Sequence, residues 1–98
     1  MNPSQRAKLH AMLGDLAKSR VEGRAHSADV WKVLAIRACW PDRRELLVDL
    51  DGDVFEMPIS STTLSVKEAA ELIDWVSQFC AKHKVPMTIK EYENVITQ

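Results

Sequence analysis

Hydrophobic residues recur at helical spacing from the start of the chain. Four of them fall on one face of an α-helix, namely Leu9, Met12, Leu13 and Leu16. Ahead of this stripe Asn2 can cap the helix, Pro3 suits its first turn, and Gln5 can reach back to complete a capping box. The pattern predicts a first helix from Pro3 to about Ser19.

The second hydrophobic stretch places apolar residues on almost every face of a predicted helix. Ser27 can cap a helix over residues 28–39, in which the polar positions are Asp29, Lys32 and Arg37. A helix of this kind is either central in the core or covered by another subunit. Trp40 precedes Pro41, and the residue before a proline is driven out of the helical region. We therefore expect the helix to end there.

Two short apolar runs follow, at residues 46–50 and 53–57. Asp51 and Gly52 separate them, and an Asp-Gly pair readily adopts the positive φ angles that a tight hairpin turn requires. The sequence therefore predicts an antiparallel β-hairpin.

Alternating aspartates around this turn resemble the start of a calcium loop, but the glycine required at the sixth position is missing. We interpret them as outward-facing acids of the turn.

The longest predicted helix, over residues 66–84, carries two hydrophobic stripes. Ser65 and Glu68 form a capping box at its start, and one stripe faces the predicted core. The other stripe consists of Leu72, Trp75 and Phe79. Since one small core cannot receive both faces, we expect these three residues to form a dimer interface.

A short final helix is predicted after Pro86, with Thr88 and Glu91 as its caps. The expected fold class is therefore α+β, with four helices packed around a short antiparallel β-hairpin in a dimeric protein. The length of 98 residues and the 46% hydrophobic content correspond to one folded domain. Cys39 and Cys80 lie among apolar residues, and we interpret them as free thiols in a reducing cytosol.

Charge is distributed unevenly along the chain. Residues 1–44 contain nine Lys and Arg against four acids, a net charge of +5, whereas residues 45–98 contain four Lys against ten acids, a net charge of −6. Such asymmetry points to a polyanion partner, although a solvated helix face accounts for it equally well. The candidate DNA-binding residues are the basic side chains of the first half and two loop hydroxyls: Arg6, Lys8, Lys18, Arg20, Arg24, Lys32, Arg37, Arg43, Arg44, Ser61 and Thr62.

Two tryptophans are candidates for stacking on an unpaired base. Trp40 precedes two arginines, but a core tryptophan that closes the second helix is the favoured interpretation. For Trp75 a subunit contact is favoured, because Glu71 and Asp74 beside it would repel phosphate.

The sequence carries no catalytic or cofactor-binding pattern. Its three glycines stand apart, at positions 14, 23 and 52, and form no phosphate-binding loop. Cys80 and His83 are one helical turn apart, but no other residue has metal-ligand spacing relative to them. We therefore expect a protein that is not an enzyme and that has no metal and no cofactor.

Three stretches of the chain carry a family resemblance. The first consists of Gln5, Lys8-Leu9, Ala11 and Leu13-Gly14-Asp15, and the second of Gly23-Arg24 and Trp31-Lys32. The third consists of the Ser60 to Thr63 loop, Val66, Glu68, Ala70-Glu71-Leu72, Phe79 and Val85. Together these stretches, spanning residues 2 to about 87, resemble the NinB (lambda Orf) family of phage recombination proteins.

The resemblance implies a dimeric, non-enzymatic protein that binds single-stranded DNA and helps to load a recombinase past single-strand-binding protein. It also implies β-strands ahead of the first helix, whereas Met1 here nearly begins that helix. We therefore expect a single NinB-like domain over residues 1–98 that lacks those strands. The expected location is the cytoplasm of the bacterial host cell, without membrane contact.

These observations predict a small α+β homodimer that binds single-stranded DNA as a recombination accessory protein. Single-strand-binding protein and a recombinase are the candidate further partners. The alternative is an adaptor or inhibitor that docks on another protein through the Trp75 stripe, with an incidental basic face. A helix-turn-helix regulator specific for duplex DNA is a third hypothesis, weakened because the second helix offers only two basic groups to a groove.

Overall fold

The computed structural model describes residues 1–57 and 60–86 of the chain. In chain order the elements are α1 (Pro3–Ser19), α2 (Ala28–Cys39), β1 (Glu45–Val48), β2 (Val54–Met57) and α3 (Val66–Lys82). Two short 3₁₀ turns, Val21–Gly23 and Ser61–Thr63, precede α2 and α3. The three helices pack against one another and the strands pair with each other, so the fold class is α+β.

Both predicted capping boxes are present. The backbone N–H of Gln5 donates to Asn2 Oδ1 at 2.8 Å, and the backbone N–H of Asn2 donates to Gln5 Oε1 at 3.1 Å. Ser65 and Glu68 repeat this arrangement at the start of α3, at 3.1 and 3.0 Å. These side chains satisfy N–H groups that a first helical turn leaves unpaired. The predicted starts of α1 and α3 are confirmed.

The hydrophobic core lies between the three helices. Its members on the helices are Leu9, Met12, Leu13, Leu16, Trp31, Ala35, Ile36, Leu72, Ile73, Val76 and Cys80. The α2 helix contributes one face only, because Val30 remains 42% exposed and Ala38 is also exposed. Its apolar sequence therefore does not correspond to a fully enclosed helix within one chain.

Leu72 belongs to this core and not to an exposed stripe. Its side chain is 0% exposed, so the prediction that Leu72 lies at a dimer interface is wrong. It follows Ala69 by three residues and precedes Val76 by four, which is the spacing of neighbours on one helix face. Trp75 and Phe79 are half-buried and pack against the edge of the same core.

The hairpin lies beside the helices. Its register pairs Glu45 with Met57 and Val48 with Val54, and seven of the eight strand residues are exposed. The first strand ends earlier than predicted, since Leu50 lies beyond it and is exposed. The prediction of helices packed around a hairpin is therefore wrong. The helices bury one another's apolar faces, which leaves hydrophobic side chains uncovered on both faces of the hairpin.

The turn aspartates have a structural role. The Asp49 carboxylate accepts hydrogen bonds from the backbone N–H groups of Asp51 and Asp53, at 2.9 and 2.8 Å. Gly52 has a φ of 89°, but Asp51 does not have a positive φ, so the connection is a longer loop over residues 49–53 and not the predicted two-residue turn. The interpretation of these acids as turn residues is confirmed.

The α3 helix ends two residues before its predicted end. Lys84 has a left-handed φ of 55°, and the chain turns there so that the Val85 N–H donates to the Cys80 carbonyl at 2.9 Å. Val85 is buried as a result.

The short helix predicted after Pro86 lies outside the described residues. Within the described ranges, no helix combines the length and the hydrophobicity needed to cross a membrane.

Candidate nucleic-acid interface

A groove of about 270 Å³, which we name the α1–α2 groove, lies beside the turn that precedes α3. Its polar wall is formed by Arg6 and His10 of α1, Lys32 of α2 and Ser61 of the turn. Core leucines of α1 also line it, and among the described residues its lining contains no carboxylate. Three residues predicted to bind DNA from separate parts of the sequence therefore converge here.

The fold holds the turn against α1 through hydrogen bonds. The Gln5 side-chain amide donates to the Val66 carbonyl at 2.8 Å, and the Met1 amino group donates to the Leu64 carbonyl at 2.7 Å. Leu64 is buried in the core. These contacts fix the segment that carries Ser61 beside the first turns of α1.

Lys8 does not join this surface. Its side chain is only 5% exposed, so the prediction that Lys8 contacts DNA is wrong. Lys8 lies four residues before Met12, at the border of the apolar stripe of α1.

A second basic groove, of about 560 Å³, lies at the other end of α1. Its basic lining residues are Lys18, Arg20, His83 and Lys84, and the carboxylate of Glu22 also lines it. Both α1 and α3 end at this groove, and the C-terminal carbonyls of helices carry partial negative charge. The cations here offset that charge, which leaves less positive potential for phosphate than in the α1–α2 groove.

Three further arginines are bound by carboxylates from the second half of the chain. Arg37 and Arg44 both donate to Glu56 Oε2, at 2.9 and 3.2 Å, and Arg43 donates to Glu68. Phosphate would have to displace these carboxylates to bind the same guanidinium groups. The division of charge along the sequence is therefore not preserved in space at this end of α2.

Glu68 is held in its ionised form. The backbone N–H of Ser65 and, next in effect, the Arg43 guanidinium lower the pKa of the Glu68 carboxyl. Because the depressed pKa keeps this carboxylate charged as the pH falls through the ordinary range of glutamate, Arg43 keeps its partner in mild acid.

Trp40 is covered rather than available for stacking. The Arg43 guanidinium lies over its ring, 5.4 Å from the centroid, and Trp40 Nε1 donates to Glu71 at 3.4 Å. Trp40 is also the C-cap of α2 and packs partly against the core. The interpretation of Trp40 as the residue that closes the second helix is confirmed.

An apolar groove of about 200 Å³, which we name the aromatic groove, lies between α2 and α3. Trp31, Trp75 and Phe79 line it, and its charged lining residues are Arg24 and Glu22. Arg24 is exposed, and its Nε lies 4.0 Å from the carboxylate of Glu22. Of the two predicted hydroxyls, the Thr62 side chain lies outside the described part of the structure.

The sequence matches the family model described as NinB protein over residues 2–88. The chain belongs to the NinB family. A solved structure described as a structural-genomics NinB is similar to it, with a TM-score of 0.80 and 24% sequence identity. The match covers 99% of this chain and 68% of that one, and at this identity it shows the fold alone. No curated protein matches the chain.

Membership of the NinB family confirms the resemblance found in the three sequence stretches. It is consistent with a role related to phage recombination. The two basic grooves also contain residues that were not among the predicted DNA-binding residues, namely His10 and Lys84. His10 follows Arg6 by four residues, so helical spacing alone could have indicated it. Lys84 meets Lys18 only through the packing of α1 against α3, for which the sequence offers no local signal.

Cys80 of α3 and His83, the residue that follows α3, lie in different environments in this NinB-family chain. Cys80 is buried, and burial, with the charge of Asp15 adding to it, raises the pKa of its thiol to about 11. Burial and then the charge of Glu71 also raise the pKa of Cys39. His83 packs on Phe79, with ring centroids 4.3 Å apart. Both thiols are therefore protonated at neutral pH.

The contacts of Glu56 lead to the first prediction for this NinB-family protein. Glu56→Gln should release Arg37 and Arg44 and, on the sequence-based expectation that the chain binds single-stranded DNA, raise the affinity for an oligo-dT strand a few-fold at low salt. The slope of log affinity against log salt should steepen by up to about 0.7 for each arginine that then contacts phosphate. Fluorescence anisotropy at several salt concentrations measures both quantities.

Glu45→Gln is the matched control, because it removes the same charge from the neighbouring strand and, among the described residues, Glu45 binds no arginine. Equal effects of the two substitutions would mean that the change acts through net charge and not through the released arginines.

Proposed function

We propose that this protein binds single-stranded DNA through the α1–α2 groove. The observation that carries the proposal is the convergence of Arg6, His10, Lys32 and Ser61 on one groove whose described lining contains no carboxylate. Phosphate contacts require cations without competing acids. Of the surfaces described, this groove meets the requirement best, because the arginines at the end of α2 already bind glutamates.

The side chains of the groove suit phosphate in complementary ways. The planar Arg6 guanidinium can donate two parallel hydrogen bonds to one phosphate, whereas the Lys32 ammonium acts as a mobile point charge. The Ser61 hydroxyl adds a neutral donor. Contacts of this kind fix the position of a strand without reading its bases, so we expect binding with little sequence preference.

The second basic groove supports a path for the strand along α1. Arg6 and Lys18 are twelve residues apart, which corresponds to about 18 Å along a helix at 1.5 Å per residue. Twelve residues also rotate by about 120° around the helix axis, so a strand that contacts the α1–α2 groove and then the cluster around Lys18 and Arg20 would wind partly around α1. The weaker potential at the second cluster makes it a supporting contact.

On this proposal the protein is a non-enzymatic accessory in phage recombination. Family membership supports the process, and the phosphate-binding chemistry of the groove supports the DNA-binding part of the role. A protein that holds single strands without regard to sequence suits the loading of a recombinase past single-strand-binding protein. We propose those two proteins as its partners.

We further propose that the protein is a homodimer whose contact surface is the hairpin. Large hydrophobic side chains are exposed along it, namely Leu46, Leu47, Val48, Leu50, Val54, Phe55 and Met57. A two-stranded hairpin alone is marginally stable in water, and both of its edges can pair with another strand. A two-fold arrangement of two copies would bury the same surface on each. The proposed contact therefore moves from the α3 stripe to the hairpin.

The DNA proposal is tested by the salt dependence of binding. Arg6→Ala and Lys32→Ala should each weaken oligo-dT binding on all sequences alike and flatten the slope by about 0.7, because each removes one phosphate contact. If three phosphate contacts form, the wild-type slope of log affinity against log salt should be about −2 or steeper. Anisotropy titrations against single-strand and duplex oligonucleotides measure these values.

Lys67→Ala is the control, since Lys67 is an exposed lysine at the start of α3, among the acids of the second half. A lysine there that mattered as much as Arg6 would contradict the groove as the binding site. Absence of single-strand binding at low salt would remove the proposed function altogether.

The dimer proposal is tested by sedimentation. Val48 is 68% exposed on β1, and Val48→Lys should convert a wild-type dimer into a monomer at tens of micromolar, because a charge would be buried in the contact. Val66→Lys, at an exposed position of α3, should leave the sedimentation coefficient unchanged. A monomeric wild type at this concentration would contradict the proposal.

A further inference from the structure

The aromatic groove contains a stacked pair of rings. Trp75 and Phe79 lie with centroids 5.3 Å apart and an interplanar angle of 19°. Phe79 also contacts Trp31 at 5.9 Å on the inner side and His83 at 4.3 Å. Since Phe79 is surrounded in this way, Trp75 is the member of the pair that can offer a ring face to a ligand.

Trp75 is bordered by hollows on two sides. The aromatic groove lies between α2 and α3, and a second hollow of about 210 Å³ is lined by Trp75, Gln78, Phe79 and Lys82. The ring is half-buried, which fixes its position while leaving part of it accessible. A fixed, accessible indole ring is the element that stacks on unpaired bases in single-strand-binding proteins.

Each hollow has one cation at its rim. Arg24 lines the aromatic groove, and its only described carboxylate partner, Glu22, is 4.0 Å away and is itself exposed. Lys82 lines the second hollow. Cations on both sides of an aromatic ring match the phosphates on both sides of a stacked nucleotide.

Glu71 and Asp74, which flank Trp75 in the sequence, do not border the hollows beside its ring. Among the described residues, neither Glu71 nor Asp74 lines the aromatic groove or the second hollow. Glu71 accepts the hydrogen bond from Trp40 Nε1 instead. Glu71 and Asp74 therefore do not repel phosphate from these hollows, and Glu22, which lines the aromatic groove beside Arg24, is the carboxylate with which a phosphate at Arg24 would compete.

We infer that the aromatic groove binds one unpaired base of the DNA strand, stacked on Trp75, with the adjoining phosphates at Arg24 and Lys82. This inference rests on the proposed single-strand binding and adds a base contact to the phosphate contacts of the α1–α2 groove. Stacking is tolerant of sequence, because every base has a π-face. The site would therefore favour single strands over duplex without selecting a sequence.

The test compares oligo-dT with an abasic oligonucleotide of the same length, which has the same phosphates and no bases. Wild-type protein should bind oligo-dT about 5- to 150-fold more tightly, the range expected for one stacked base. Trp75→Ala should remove most of this preference without changing the salt slope. Trp75→Phe, which keeps an aromatic face, should retain part of it and guards against a folding defect in the alanine variant.

Trp40→Ala is the matched control, because Trp40 is also a half-buried tryptophan but its ring is covered by Arg43. It should leave the preference for oligo-dT over the abasic strand unchanged.

Equal wild-type affinity for both strands, with a normal salt slope, would overturn the base site and leave the phosphate groove standing. A Trp75→Ala variant that keeps the full preference but loses self-association would assign the groove to a second copy of the chain. Absence of binding to either strand at low salt would overturn both proposals.

Discussion

The side chain of Gln5 joins the two parts of the molecule on which the site depends. Its carbonyl oxygen accepts the Asn2 N–H and caps α1, while its amide nitrogen donates to the Val66 carbonyl at the start of α3. The side chain of Gln5 is buried and its partners Asn2 and Val66 are exposed, so both hydrogen bonds are partly shielded from water. One residue therefore sets the start of α1 and fixes the turn that carries Ser61 beside Arg6.

Folding brings acids of the second half of the chain into contact with basic side chains of the first half. Glutamates from the hairpin and from α3 bind the arginines at the end of α2, and the buried Lys8 is removed from the surface. What remains is a pair of basic clusters at opposite ends of α1. Pairs of exposed charges contribute little to stability, so the role of the glutamate contacts is better described as competition with phosphate for the same guanidinium groups.

Local features of the fold could be predicted from the sequence, because they depend on residues close together in the chain. The capping boxes at Asn2 and Ser65 and the antiparallel hairpin with a positive φ at Gly52 are of this kind. The errors concern relations between elements. Leu72 was assigned to the wrong face because the centre of the buried stripe of α3 is set by α1 and α2, which the sequence of α3 does not contain. The exposure of the hairpin has the same origin, since hydrophobic alternation cannot say which surface will cover a strand.

The candidate site divides in the same way. Arg6, Lys32 and Ser61 could be predicted as phosphate ligands from residue type and charge, and the structure brings them to one groove. Their convergence could not be predicted, because it depends on the contact of α1 with α2 and on the attachment of the turn through Gln5. The arrangement of Arg24, Trp75 and Lys82 around the aromatic groove depends on packing alone.

Chemical-shift mapping of the isotope-labelled protein during titration with oligo-dT shows whether a single strand lies on the α1–α2 groove. If it does, the largest shift changes should occur at residues 6–13, around Lys32 and at residues 60–63, and the hairpin turn at residues 49–53 should change little. Shift changes concentrated at the hairpin or on the outer face of α3, with the α1–α2 groove unaffected, would contradict this location of the strand.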